Sequence, residues 1–373
     1  MSRNPEVVII GGGIIGCSIA YYLSHSGIDV LVCEREALGS QASGVAAGLL
    51  IPFTEHPHDD QFLSMGLKSL ETHRFLSQSL SDETGIDVHF EQTPVVIPAF
   101  SDLEVEQLKR NVEIAKNLGL KVHWENSYHA RQYEPALGQE CMGALISTAE
   151  AQVQPYSLVL ALAQASENLG TEFRYSEVIS VKHRPGENIE VITENNSIIT
   201  ETVIFAMGPW TSAGGSWIDF PIKVTPQKGQ LLHFNSRGIP LKSIIFHNGS
   251  YLTPKPEHII IAGATEESTG FNVSPTPQST TTIIETAIKL APSMADAGMI
   301  KALAGLRPIS PDGLPLLGQI PHCERIFVAT GHGRNGVLLG PITGQILKDC
   351  VMGESLSGSW ESFLIDRFRK SPL

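Results

Sequence analysis

Between Val7 and Gly16 the chain reads Val-Val-Ile-Ile-Gly-Gly-Gly-Ile-Ile-Gly, four consecutive apolar residues running straight into a glycine turn. A short uninterrupted apolar run that ends in glycines is what a strand buried on both faces of a parallel sheet requires. Gly11, Gly13 and Gly16 take the G-x-G-x-x-G spacing. The first glycine allows a tight turn, the second lets a pyrophosphate approach the backbone, and the third lets the next helix lie against the strand. Ile15, Ile19, Tyr22 and Leu23 mark one face of that helix, which stops at Gly27, and a second apolar strand from Ile28 to Cys33 ends in Glu34. A carboxylate at the tip of the second strand accepts hydrogen bonds from ribose hydroxyls and repels a 2′-phosphate. The opening therefore specifies an adenine dinucleotide, FAD or NAD in preference to NADP.

The length of 373 residues allows two domains or one large one, and 42% hydrophobic residues supply a sizeable core. A formal charge of −13 argues against a nucleic-acid groove or an anionic membrane surface as partner. The first residues offer no basic segment leading into a cleavable apolar one, and no stretch reads as a membrane span. Five cysteines at 17, 33, 141, 323 and 350 form neither a metal-binding pair nor an even disulfide framework, so a reducing cytoplasm is expected. His56-Pro57-His58-Asp59-Asp60 is the one metal-like cluster, and it lacks a second group of ligands. It is read as a polar loop, and no metal is expected.

Small residues crowd the stretch from Ala37 to Gly48 directly after the dinucleotide fingerprint, which lets backbone N–H groups come close to a flat ring. Leu63, Leu67 and Leu70 then open a long amphipathic helix ending near Gly85. From residue 86 to 145 short β-like runs and a helix capped by Ser101 and Glu104 read as an insertion with a sheet of its own. A helix begins at Gln154-Pro155, and strands at 171–175, 178–182, 189–193 and 202–206 read as a return to the first domain over residues 146–220. A second excursion, 221–302, carries strands at 229–234, 243–253 and 258–264 and a helix through Ile283, Ala287 and Leu290. Residues 303–373 close the first domain, with a strand at 325–329 and a helix after Gly331-His332-Gly333-Arg334-Asn335-Gly336.

These separated pieces carry a resemblance. The fingerprint through Glu34, the small-residue loop to Gly48, Ala206-Met207-Gly208-Pro209-Trp210, Pro226-Gln227-Lys228-Gly229-Gln230, Tyr251, Gly263-Ala264-Thr265, Gly305-Leu306-Arg307-Pro308 and Gly331 to Gly336 resemble the D-amino-acid oxidase family of flavoproteins, and within it the bacterial glycine oxidases. The resemblance implies an α/β fold in which a Rossmann-type FAD-binding domain is interleaved with an α+β substrate domain of mainly antiparallel sheet. It implies FAD, a small amino-acid substrate with O2, a homo-oligomer that is often a tetramer, and a link to thiamine biosynthesis. Oxidation at the carbon bearing the amine then proceeds by hydride transfer to the flavin, with no protein acid or base needed. A relative that passes electrons to a quinone is the alternative.

By the same resemblance the cofactor contacts are Gly11, Gly13, Ile14, Ile15, Gly16, Glu34, Arg35, Ser43, Ala46, Ala47, Gly48, Val178, Gly208, Gly331, Gly333, Arg334, Asn335 and Gly336. Residues 305–318 contain no cysteine, unlike relatives with a covalent flavin, so FAD is expected to be held non-covalently, with Cys323 as the nearest thiol. Arg307 lies in a segment without other charge, where a guanidinium needs an anion. Two readings are open: a bidentate anchor for a substrate carboxylate, or a structural pair with an internal aspartate such as Asp312. The resemblance favours the anchor, adds the Tyr251 hydroxyl to the same carboxylate, and leaves Arg334 between the substrate site and the glycine-rich nest. His332 is read as a hydrogen-bonded loop histidine. Two departures from the family stand out: Glu266 replaces an apolar residue, and Gly249 stands where a histidine is expected. Glu266 either holds a substrate amine or points into solvent.

Overall fold

The computed structural model describes residues 4–354 and 360–369. Val7–Ile10, buried at all four positions, is central to a six-stranded sheet. Val30–Glu34 and then Glu172–Tyr175 lie parallel on one side of it, and Thr202–Phe205 and Ile326–Thr330 lie parallel on the other. Leu316–Gln319 closes that second edge in the antiparallel sense. The central strands are buried throughout because both faces are covered. On one face the helices Ile14–His25, Asp60–Thr84, Pro155–Asn168 and Gly336–Val351 pack Ile19, Leu23, Leu80, Leu162 and Leu338 around Ile9 and Val32.

The other face is covered by a separate three-stranded antiparallel sheet of Val178–Lys182, Ile189–Thr193 and Ser197–Thr200. The strands at 178–182 and 189–193 thus form a layer of their own against the first domain's sheet and do not pair with its strands. Ile189–Thr193 alternates between buried and more exposed residues, the pattern of a sheet with one wet face, whereas in Val178–Lys182 the buried Val178 and Val181 are three apart, beside an irregularity in the pairing. Val181, Val191 and Ile198 turn inward onto Val8, Leu31 and Phe205.

The helix Gly336–Val351 contains Pro341, which lacks the N–H that would satisfy the carbonyl of Val337. His73 answers from Asp60–Thr84: its Nε2 lies 3.0 Å from the carbonyls of both Val337 and Leu338, and the Ser69 hydroxyl donates to Leu338 at 2.5 Å. The proline is thereby accommodated by the neighbouring helix.

An eight-stranded sheet forms the second layer, in the order Met299–Ile309, Thr225–Asn235, Ile259–Gly263, Ser250–Lys255, Ile244–His247, Val95–Ala99, Gly143–Ser147, Val122–Asn126. Every neighbouring pair is antiparallel except Ile244–His247 with Val95–Ala99. The single strand expected over 243–253 is a hairpin. Asn248 and Gly249 both have positive φ, 49° and 78°, the conformation that an Asn-Gly pair takes between two short strands. The boundaries expected at 145 and 302 fall inside the strands Gly143–Ser147 and Met299–Ile309. Arg307 therefore belongs to the larger sheet, where it pairs with Gln227. The helix Pro277–Leu290 covers one part of this sheet through Ile283, Ala287 and Leu290. Leu231, Phe246, Tyr251 and Ile261 on the larger sheet meet Ala47 and Ile51 from the small-residue loop, and this contact frames the cavity between the layers.

Candidate active site

At the end of the first strand Gly11 has φ +112°, and a β-carbon there would overlap the carbonyl of Ala206 on the neighbouring strand. Only glycine makes this turn without strain. The Gly12 N–H donates to Glu34 Oε2 at 2.7 Å and the Glu36 N–H to Oε1 at 2.9 Å, which fixes the carboxylate beside the turn. Ser43 Oγ accepts the N–H of Ile14 at 3.0 Å, bringing the small-residue loop onto the helix N terminus.

A single cavity starts at this turn. Of the proposed cofactor contacts, Gly11, Gly13, Ile14, Ile15, Glu34, Arg35, Ser43, Ala46, Ala47, Gly48, Val178, Gly208, Gly333, Arg334, Asn335 and Gly336 line it. Gly16 and Gly331 do not. Gly16 packs under the turn against the Gly11 carbonyl, and Gly331 faces Ser310. Trp210, the last residue of the Ala206 to Trp210 motif, and Ser176, which carried no signal in the sequence, also line the cavity. The Arg35 guanidinium lies 4.1 Å from the centre of the Trp210 ring, and that ring stacks on Phe271 at 5.5 Å.

Two wall residues carry a buried polar atom without a protein partner: Ser176 Oγ and His332 Nδ1. Each such atom costs about 1–3 kcal/mol unless a ligand or water satisfies it. His332 Nε2 pairs with Thr343 Oγ1 at 3.0 Å, and burial lowers its pKa to about 3, so the ring is neutral. A wall with a helix N terminus, a fixed carboxylate and unsatisfied polar atoms fits a dinucleotide such as FAD.

Farther along the cavity are Arg307 and Tyr251. The Arg307 Nη1 donates to the Thr265 carbonyl at 2.9 Å, and among the described residues no ion pair includes Arg307. The aspartate alternative fails because Asp312 is held by Arg367, at 2.7 Å from Nε and 2.8 Å from Nη2. The guanidinium rests over Gly229, where a β-carbon would overlap it. No role was read for Gly229 from the sequence. Its signal is positional, since it lies one strand away from Arg307 on the same sheet. Burial and the neighbouring Arg334 lower the Arg307 pKa, while Tyr251, Glu266 and Glu55 oppose that shift. Burial also pushes the Tyr251 hydroxyl up, against Arg307 and Arg334, so the phenol is a hydrogen-bond donor. Gly263 makes room for it, since a β-carbon there would lie 2.6 Å from the hydroxyl oxygen.

Thr265 ties this anchor to a polar network. Its hydroxyl donates to Glu267 at 2.7 Å, and the same carboxylate accepts from Gln230 at 2.6 Å and Ser279 at 3.0 Å and pairs with the buried Lys228 at 2.9 Å. Burial would raise the Glu267 pKa, but these donors outweigh it and hold the carboxyl at about 2.

Arg334 is fully engaged. Its Nε meets Glu55 at 3.2 Å, its Nη1 meets Glu266 at 2.9 Å, and its Nη2 donates to the Gly249 carbonyl at 2.8 Å. Glu266, half exposed at the cavity's edge, pairs with an arginine, a partner that the sequence did not point to. The Asn-Gly turn presents the Gly249 carbonyl at the position where the family pattern suggested a histidine.

The family described as FAD dependent oxidoreductase matches residues 6–350, and the chain belongs to it. The relatives that it resembles within that family include proteins named glycine oxidase. The glycine oxidase of Bacillus subtilis (strain 168) is 29% identical over 98% of both chains. The bifunctional protein ThiO/ThiG of Trichormus variabilis is 32% identical over 98% of this chain, which spans 55% of that protein's length. The crystal structure of glycine oxidase from Geobacillus kaustophilus superposes with a TM-score of 0.94 at 28% identity, covering 98% of this chain and 99% of the other. Among the described residues no helix is long and apolar enough to cross a membrane.

Proposed function

We propose that the protein oxidises glycine and other small amino acids, sarcosine and small D-amino acids among them, to the 2-oxo acid, ammonia and H2O2. The observation that carries this reading is a half-buried guanidinium, Arg307, with no carboxylate partner among the described residues, facing a cavity that begins at a dinucleotide turn. FAD, held non-covalently by the residues of the dinucleotide end, would supply the hydride acceptor for oxidation at the substrate α-carbon, and the imine product would hydrolyse in water. Arg307 binds the substrate carboxylate through its charged fork, and the Tyr251 hydroxyl donates to the same group. With the carboxylate fixed at two points, one face of the α-carbon is presented, which favours glycine and D-amino acids over L-amino acids. Burial lowers the His332 pKa to about 3, which makes it a weak base, and Glu55 is occupied by Arg334, so a base role is assigned to neither. The substrate amine enters already neutral. The likeness to one half of the ThiO/ThiG proteins supports a place in thiamine biosynthesis, and the resemblance supports a cytoplasmic homo-oligomer.

The test is anaerobic mixing of the yellow holoprotein with glycine, sarcosine and D- and L-alanine, followed by readmission of O2. The expected result is bleaching by the first three and not by L-alanine, then reoxidation with stoichiometric peroxide. Bleaching that only an artificial dye or quinone reverses would make the protein a dehydrogenase. Yellow colour that stays with acid-precipitated protein would overturn non-covalent binding.

A further inference from the structure

Two guanidiniums, Arg307 and Arg334, face the substrate end of the cavity, yet their surroundings are opposite. Arg307 meets a single carbonyl, whereas all three nitrogens of Arg334 are engaged, two of them by carboxylates. Glu55 is part of the cavity wall with a side chain only 10% exposed. Glu266, 49% exposed, is not part of that wall and closes on Arg334 from the solvent side. The trio of Glu55, Glu266 and Arg334 carries a formal charge of −1 against the +1 of Arg307. Without Glu266 the set would carry a formal charge of +1 in place of 0, and Arg334 Nη1 would be free to meet a second carboxylate while Glu55 kept Nε.

We propose that Glu266 sets the substrate class to amino acids with a single carboxylate. It does so as a positioning residue, by occupying Arg334 and by placing negative charge where a second substrate carboxylate would dock. This rests on the reading above that Arg307 takes the first carboxylate. A like charge at that distance disfavours the dianion, and half-exposure makes the exclusion weaken with added salt.

The experiment compares wild-type holoprotein with Glu266→Gln, which keeps the shape and removes the charge, and Glu266→Asp, which keeps the charge. Acetate and malonate are titrated while the absorbance of the bound flavin is followed, and kcat/KM is measured for sarcosine and iminodiacetate. These two substrates share a glycine half and a secondary amine and differ by one carboxylate. Wild type is expected to favour acetate and sarcosine. In Glu266→Gln both the malonate-to-acetate and the iminodiacetate-to-sarcosine ratios are expected to rise roughly tenfold, equivalent to about 1.4 kcal/mol. Glu266→Asp is expected to keep the wild-type ranking.

Unchanged ratios in Glu266→Gln, with acetate binding still abolished by Arg307→Ala, would overturn the proposal alone. Acetate binding that survives Arg307→Ala would remove the carboxylate anchor and the proposal with it. A wild type that already accepts iminodiacetate as readily as sarcosine would also overturn it.

Discussion

The two ends of the cavity are built from different materials. At the dinucleotide end the wall is largely backbone and small side chains from one stretch, residues 11–48, and the fixed groups are the N–H of Gly12, the helix N terminus at Ile14 and the Glu34 carboxylate. At the substrate end the wall is long side chains brought from 55, 251, 307 and 334, each needing another residue to hold it. A backbone site survives changes in side chains as long as the turn is kept. A side-chain site depends on every support, so the two ends are expected to fail independently.

The sharpest way to break that comparison is Arg307→Ala. Removing a buried charged fork from a carboxylate costs about 2–5 kcal/mol, so kcat/KM for glycine is expected to fall by roughly 30-fold to several thousand-fold. FAD is expected to stay bound, read as an unchanged ratio of flavin to protein absorbance after gel filtration. Loss of FAD in this variant would mean that the two ends are one unit.

Gly229→Ala probes the same anchor without touching a charge. The new β-carbon would overlap the guanidinium, which must shift or tilt. Overpacking of this kind costs about 1–3 kcal/mol, and a loss of roughly 5-fold to 150-fold in kcat/KM is expected. The split between KM and kcat is informative: a raised KM with little change in kcat points to weakened carboxylate binding. Wild-type kinetics in Gly229→Ala would show that the guanidinium has free room and that the glycine is not its seat.

The same contrast explains what was readable in the sequence. The fingerprint is contiguous, and each glycine answers a local demand of turn or approach, so Gly11, Gly13 and Glu34 could be assigned from spacing alone. Arg307 was noticeable as a lone charge in an apolar segment, but its freedom from Asp312 depends on Arg367, 60 residues downstream, and no periodicity signals that pair. Gly229 and Gly263 support side chains on other strands, and their roles follow from register in the larger sheet. The Asn248-Gly249 turn did carry a local signal, one overridden by reading the apolar run around it as a single strand. Strands 178–182 and 189–193 are legible as strands, but their pairing with each other and with Ser197–Thr200 is not, because a local pattern does not say which sheet a strand joins.

The smallest expected effect concerns acid. Glu267 titrates at about 2 in the folded protein against an ordinary 4.5, and His332 at about 3 against 6.5. Both shifts are downward, so in each case the unfolded chain binds the proton more readily. The associated stability is fully present above the unfolded pKa and is lost as pH falls toward the folded one. The windows differ. His332 contributes a loss that begins below pH 6.5, whereas the Glu267 network adds its own only below about pH 4.5. Glu267→Gln removes the titrating group but leaves Lys228, 1% exposed, without its carboxylate. The variant is therefore expected to melt at a lower temperature at neutral pH and to lose less of its Tm between pH 4.5 and 3 than wild type does. His332→Gln, with Glu267 intact, is expected to reduce the slope from pH 6.5 down to about 3. His73 and His233, both lowered to about 4, still contribute above that limit, and Glu267 still adds its loss below pH 4.5. Melting curves by intrinsic fluorescence at a series of pH values separate the two. An acid limb equally steep in wild type and Glu267→Gln would show that the network behind Arg307 does not hold its carboxyl down. The support for the substrate end would then have to come from packing of the larger sheet instead.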